Sequence, residues 1–137
     1  MSDQTLDILS KYKKIAVYGM SKNPSKPAYT VPMYMRENGY SVIPINPTTD
    51  AIADMKTYRS LSEIEEEVEI LNVFRPSAEA VDIVEQAIER KNTIGDLKAV
   101  WLQLGIYNDE AKVLAEANGL EYIENACMFV EHRKAQQ

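Results

Sequence analysis

The chain has one cysteine, Cys127, and one histidine, His132, in 137 residues. A single thiol excludes an intramolecular disulfide framework and is too few for a zinc site, so Cys127 reads as a small core residue and no metal ligands are expected. His132 has no neighbouring nucleophile to activate and stands where the chain turns polar after Glu131, which points to a structural or surface role. No apolar run approaches the roughly 20 residues that span a bilayer. The first residues, MSDQTLDILSKYKK, lack the apolar core of a signal peptide, and a cytoplasmic protein without membrane contact is expected. Basic residues are in deficit, 15 against 21 acidic, for a net charge of −6. Nucleic-acid binding depends on a basic face and is argued against. A small anion is not, because it needs only a few local cations and well-aimed backbone N–H groups.

With 45% hydrophobic and 26% charged residues the composition is that of an ordered globular protein, and the length suits a single domain over residues 1–137. Lys14 to Gly19 is a short apolar run ending in glycine, as expected of a buried parallel strand. Ala28 to Asn38 carries Val31, Tyr34 and Met35 at helical spacing and closes on Gly39. Further strands are expected at Tyr40 to Ile45, Glu69 to Phe74, Ala99 to Leu104 and Leu120 to Ile123. Lys56 to Tyr58 suggests a short edge strand, and Leu61 to Glu67 a helical turn or two. Ser77 suits the N-cap of a helix from Ala78 to about Arg90 with an apolar stripe of Val81, Val84, Ala87 and Ile88, and Asn108 that of a helix over Glu110 to Ala117. Alternating strands and helices imply an α/β three-layer Rossmann-like fold with a mostly parallel sheet of five or six strands.

In an open parallel sheet the ligand binds beyond the carboxyl ends of the strands, where the strand order reverses. The elements therefore nominate four loops. The first holds Gly19, Met20, Ser21, Lys22, Ser25, Lys26, Pro27 and Ala28; glycine permits a tight turn, the serines offer hydroxyls, the lysines charge, and Pro27 suits a helix start that aims N–H groups at an anion. Pro32 lies beyond the first turn, so the helix starts late or is distorted there. The second loop holds Asn46 and Pro47, the third Phe74 and Arg75, the fourth Gln103, Leu104, Gly105 and Ile106. Gln103 stands at a strand end where an apolar residue would pack better, which implies a polar partner.

A dinucleotide fingerprint is missing. Of Gly-x-Gly-x-x-Gly only Gly19 is present, with Ser21 and Pro24 in the other places, and Asn46-Pro47 follow the second strand where an acid would bond the ribose hydroxyls. There is no Gly-x-x-x-x-Gly-Lys-Ser/Thr loop either.

Five stretches in order, Val17 to Ser21 with Asn23 to Pro27, Gly39 to Pro47, Asn72 to Arg75, Val100 to Ile106, and Cys127 with Glu131 to Arg133, resemble the small stand-alone CoA-binding protein family. Its fold is similar to the CoA-binding domain of the succinyl-CoA synthetase α subunit. The resemblance implies that coenzyme A or an acyl-CoA is held with its pyrophosphate on the first loop, its phosphorylated ribose near the second and third, and its pantetheine along Gln103 to Ile106. Met20 stands where alanine is common and would narrow the pocket. Lys26 replaces a common arginine, keeping charge but losing the planar fork of donors.

Lys22 and Lys26 read as ligand contacts in preference to solvated lysines, whereas Phe74 and Tyr58 read as core or rim residues. Arg75 is balanced between phosphate and a neighbouring carboxylate. The acids Asp3, Asp7, Glu63, Glu65, Glu66 and Glu67 read as solvated faces. No catalytic residues are nominated. The expected function is a binding module for a small nucleotide ligand without chemistry of its own. The alternatives are an NAD(H)-binding oxidoreductase or redox sensor, and the CoA-binding subunit of a split acyl-CoA ligase. Self-association and protein partners are left open.

Overall fold

A computed structural model describes residues 3–136. It begins with helix α1 (Asp3–Lys11), an element the sequence reading lacks. Its buried stripe is only Thr5, Ile8 and Leu9, too narrow to stand out as a period in so short a segment. Then follow β1 (Lys14–Tyr18), α2 (Pro27–Glu37), β2 (Ser41–Ile45), a small hairpin of β3 (Ala51–Ile52) and β4 (Met55–Lys56), β5 (Ile70–Val73), α3 (Ala80–Thr93), β6 (Ala99–Leu102), α4 (Asp109–Ala117), β7 (Glu121–Ile123) and α5 (Met128–Ala135).

Five strands form one parallel sheet in the order β2-β1-β5-β6-β7. Its register sets Ala16 between Ile43 and Leu71, and Ile70 between Ile15 and Ala99. Both faces are covered, which is why the strands read as continuous apolar runs. Ile15, Val17, Ile70 and Trp101 pack beneath Ile8, Val31, Met35 and Met128 of α1, α2 and α5. Ala16, Leu71, Val73, Val100 and Leu102 pack beneath Ile83, Val84, Ala87, Ala111 and Ala115 of α3 and α4. This is the expected three-layer Rossmann-like architecture. No helix among the described residues is long and apolar enough to cross a membrane.

The order places the topological switch between β1 and β5. The chain leaves β1 toward β2 on one side, then returns past β1 to β5 on the other, so the loops after β1 and β5 part and leave a crevice. Lys56 to Tyr58 differs from the expected edge strand. Met55–Lys56 pairs antiparallel with Ala51–Ile52, and only Tyr58 bridges Ile45 in parallel. Ser77 is not a side-chain cap either. Residues Ser77–Glu79 form a 3-10 turn before α3, and the Ser77 hydroxyl accepts instead from the Tyr107 N–H at 3.0 Å. Asn108 does cap α4, its side chain accepting from the Ala111 N–H at 3.0 Å.

The polar tail proves to be helix α5, because Met128 and His132 recur at helical spacing and both are buried. Of the structural and surface roles expected for His132, the structural one holds, since it is buried. Its Nδ1 lies 2.8 Å from the Tyr34 hydroxyl, and its ring meets Tyr34 and Tyr40 edge to face. Burial, with Lys13 nearby, holds its pKa below the usual histidine value.

Candidate functional site

At the switch point the backbone of β1 turns sharply at Gly19, whose φ is +90°. A Cβ there would lie 2.9 Å from Cδ of Arg75, so glycine is demanded twice, by the left-handed backbone and by the close passage of the β5 loop. The Gly19 N–H donates to Ile45 O at 3.0 Å, tying the turn to β2. Met20 then packs into the core cluster with no exposure and also lines the crevice. The Met20 carbonyl accepts from Asn46 Nδ2 at 2.9 Å, while Asn46 Oδ1 accepts from the N–H and hydroxyl of Thr48. Asn46 thus fixes two loops against each other. A carboxylate at the ribose of a dinucleotide would do other work.

The remainder of the first loop supports itself. The Ser21 hydroxyl accepts from the Asn23 N–H, and Asn23 Oδ1 accepts from the N–H and hydroxyl of Ser25. Helix α2 starts at Pro27 with Lys26 as its N-cap and continues through Pro32. Pro32 has no N–H to offer the Ala28 carbonyl, and the Ser21 N–H takes its place at 3.1 Å. An interior proline that would weaken a helix here supplies the acceptor that docks the loop. The helix start offers an anion less than expected. Pro27 has no N–H, and those of Tyr29 and Thr30 are bound to Lys26 O, so among the described residues Ala28 alone in that turn, with Lys22 in the loop, has an N–H that makes no backbone hydrogen bond.

Two cavities border this loop. The first, of about 530 Å³, is lined by Gly19, Met20, Ser21, Asn46, Pro47 and Arg75, and also by Tyr18, Ile45, Thr48, Arg59 and Glu79. It contains the two arginines, Arg59 and Arg75. Arg75 donates to Glu79 through Nε at 3.0 Å and Nη2 at 2.8 Å. Both side chains are nearly half exposed, and such a pair contributes only about 0.3–0.5 kcal/mol. The hydrogen bond from Arg75 holds the Glu79 carboxyl below the usual range. Of the two sequence readings of Arg75, the pairing with a neighbouring carboxylate is the one seen, and the residue also lines the crevice. Arg59 donates to Pro47 O at 3.0 Å. It was missed because the irregular segment after β4 gives no periodic signal, although Tyr58 carries it alongside Ile45 at the sheet edge.

The second cavity, of about 390 Å³, is lined by Lys26, Pro27, Ala28, Phe74, Gln103, Leu104, Ile106 and Cys127. Phe74 and Arg75 are adjacent in sequence and face different cavities. Gln103 is 5% exposed. Its Oε1 accepts from the Met128 N–H at 3.4 Å, whereas its NH₂ donates to nothing among the described residues. No buried polar side-chain atom among them lacks a partner while shut off from solvent, so that NH₂ opens on the cavity Gln103 lines. Of the residues nominated from sequence, Lys22, Ser25 and Gly105 line neither cavity. Ser25 is consumed by Asn23, and the Gly105 N–H donates to Asn125 Oδ1 at 2.8 Å.

Cys127 packs against the core, as expected, but does not lie wholly within it. It is partly exposed and belongs to this cavity because the segment after β7 is strapped to the turn after β6. The Asn125 N–H donates to Ile106 O at 2.9 Å, and the indole Nε1 of buried Trp101 to Ala126 O at 2.9 Å. β7 lies parallel beside β6, so its outgoing loop reaches the same edge as the other four. His132 opens on a different cavity, with Leu9, Lys13 and Tyr40, and does not serve the thiol. Among the described residues no three His, Cys, Asp or Glu side chains are grouped to hold a metal.

The family model described as "CoA binding domain" matches residues 13–133. The protein YneT of Bacillus subtilis is 35% identical over 126 residues, covering 92% of this chain and 90% of its own. A hypothetical protein from Pyrococcus horikoshii OT3 superposes with a TM-score of 0.91 at 35% identity, over 100% of this chain and 94% of that one. An ADP-forming acetate–CoA ligase of Methanocaldococcus jannaschii is 25% identical over 132 residues, which span 93% of this chain but 19% of the ligase. A match from just before β1 to within α5, at the fold and identity shared with these relatives, places this chain in the CoA binding domain family.

Proposed function

We propose that this protein binds coenzyme A or an acyl-CoA across both cavities, with the phosphates at the crevice holding Arg59 and Arg75 and the pantetheine arm in the cavity beneath Gln103. The observation that carries this reading is the pairing of two unlike cavities on one loop. The crevice offers half-satisfied guanidinium donors, which suit phosphate oxygens. The neighbouring cavity is walled by Pro27, Phe74, Leu104 and Ile106 and offers one unpartnered carboxamide NH₂. A ligand charged at one end, with an uncharged amide-bearing arm at the other, fits that division.

NAD(H) fits less well, because Ser21 and Pro24 replace the fingerprint glycines and the Asn46 side chain is already spent on Met20 and Thr48. The resemblance to part of an acetate–CoA ligase supports a second reading, a CoA-holding subunit whose catalytic half is another chain. In the proposed role the protein leaves the thioester intact. Hydrolysis or transfer requires a positioned base beside the nucleophile, and the one histidine faces Tyr34 and Tyr40. Calorimetric titration tests the reading. Coenzyme A should bind at least about tenfold more tightly than NAD, a margin of about 1.4 kcal/mol. Equal or reversed affinities reject it.

A further inference from the structure

Cys127 lines the cavity proposed above for the pantetheine arm. It is the N-cap residue of α5, yet its side chain makes no capping hydrogen bond, so the sulfur is not committed to the helix. It is the only cysteine in the chain and has no internal disulfide partner. Its cavity is otherwise apolar apart from Lys26 at the rim and the buried Gln103, whose NH₂ has no partner among the described residues. Because that NH₂ is open to the cavity and not shut off from solvent, it can donate to an occupant bearing an acceptor, and Cys127 lines the same cavity. The loop is rigidly held, with Asn125 at φ +56°, its Oδ1 on the Gly105 N–H and Trp101 on Ala126 O.

We infer that Cys127 captures the sulfur end of the ligand as a mixed disulfide when coenzyme A is oxidised, making the protein a redox-dependent covalent holder of coenzyme A. This rests on the reading given above. The step is thiol–disulfide exchange with coenzyme A disulfide. The Cys127 thiolate attacks one sulfur, that S–S bond breaks, and a bond forms between Sγ and the bound coenzyme A. The second coenzyme A leaves as a thiolate and takes up the proton that Cys127 lost. No other oxidant enters. The reverse step needs only a free thiol. Exchange requires neither a general base nor an oxyanion site, which is why this chemistry suits a cysteine that His132 does not reach.

The test uses the intact protein, reduced and desalted, then exposed to coenzyme A disulfide or to pantethine, the disulfide of the same arm without its nucleotide. Intact mass spectrometry should show one adduct per chain, a gain of one coenzyme A less two hydrogen atoms, reversed by dithiothreitol. Prior binding raises the effective concentration at the thiol, so the reaction with coenzyme A disulfide should run at least about tenfold faster than with pantethine, each scaled to its rate with free cysteine. Desulfo-coenzyme A, which lacks the sulfur, should suppress that excess. Calorimetry of the wild-type protein with coenzyme A under reductant is the companion measurement. Binding under reductant without an adduct overturns the capture alone, and absence of both overturns the CoA reading with it. Equal scaled rates with the two disulfides identify an ordinary exposed thiol and overturn the capture.

Discussion

The two edges of the sheet treat arginine in opposite ways. At the edge where β5 and β6 begin, Arg90 is 5% exposed and its donors go to Asp96 twice and to the carbonyls of Leu61, Ile64 and Glu66. Five hydrogen bonds use all the donors a guanidinium has. Asp96 also accepts from the Val68 N–H. Burial pushes its carboxyl up, and the bonds from Arg90 and Val68 more than offset this, leaving it below the usual range. At the edge where the strands end, Arg75 spends its donors on Glu79 alone, in water. The first arrangement is closed and can only hold the chain together. The second is open, and a phosphate can take over what Glu79 holds. Unfinished hydrogen bonding, rather than charge as such, separates the edge proposed for binding from the structural one.

Substitutions can break this contrast. The largest effect should come from Arg90→Met, which leaves Asp96 buried without its partner and should cost about 3–5 kcal/mol of stability. Urea unfolding reads it, and a loss below about 1 kcal/mol would show that the closed network is not structural. Arg75→Ala should leave unfolding nearly unchanged and weaken coenzyme A binding by about 1.5–3 kcal/mol, the range for a hydrogen bond to a charged group. Wild-type affinity in low salt would remove Arg75 from the site, whereas partial mimicry of the loss by added salt is expected of an exposed contact. Gly19→Ala joins the two edges' logic, since it strains the backbone and pushes on Arg75. About 1–2 kcal/mol of stability and a measurable part of the affinity should go together, and either alone would separate the turn from the arginine. The smallest effect is a gain. Glu79→Gln releases Arg75 from a pair worth about 0.3–0.5 kcal/mol, so coenzyme A should bind slightly tighter in calorimetry, and weaker binding would make Glu79 a ligand contact instead.

Much of this was legible in the sequence. The apolar runs at Lys14 to Gly19, Tyr40 to Ile45, Glu69 to Phe74 and Ala99 to Leu104 announce strands because both faces of a parallel sheet are buried. Their outgoing loops then nominate Gly19, Asn46, Arg75 and Gln103. Contacts made across the chain were not legible. Arg59 reaches the crevice only because Tyr58 bridges Ile45, and Cys127 reaches the second cavity only because β7 adds beside β6. A parallel sheet sends every strand's outgoing loop to one edge, and applying that rule to the fifth strand as well as the first four would have found Cys127. The helix that buries His132 was missed for a different reason: residues 128–135 make eight residues of helix with two buried positions, below what periodicity can show.

The sequence by itself determined the fold class and the absence of a dinucleotide fingerprint, and nominated the edge proposed for a ligand, because local periodicity and turn chemistry act over a few residues. Only the tertiary structure decided which polar groups are left with unused donors. That Arg90 is closed and Arg75 open, that Ser21 answers the carbonyl Pro32 cannot, and that the Gln103 NH₂ faces a cavity beside a free thiol all depend on partners brought together from different elements. A hydrogen bond's availability depends on every group within reach of it, and the order of residues along the chain does not list those groups.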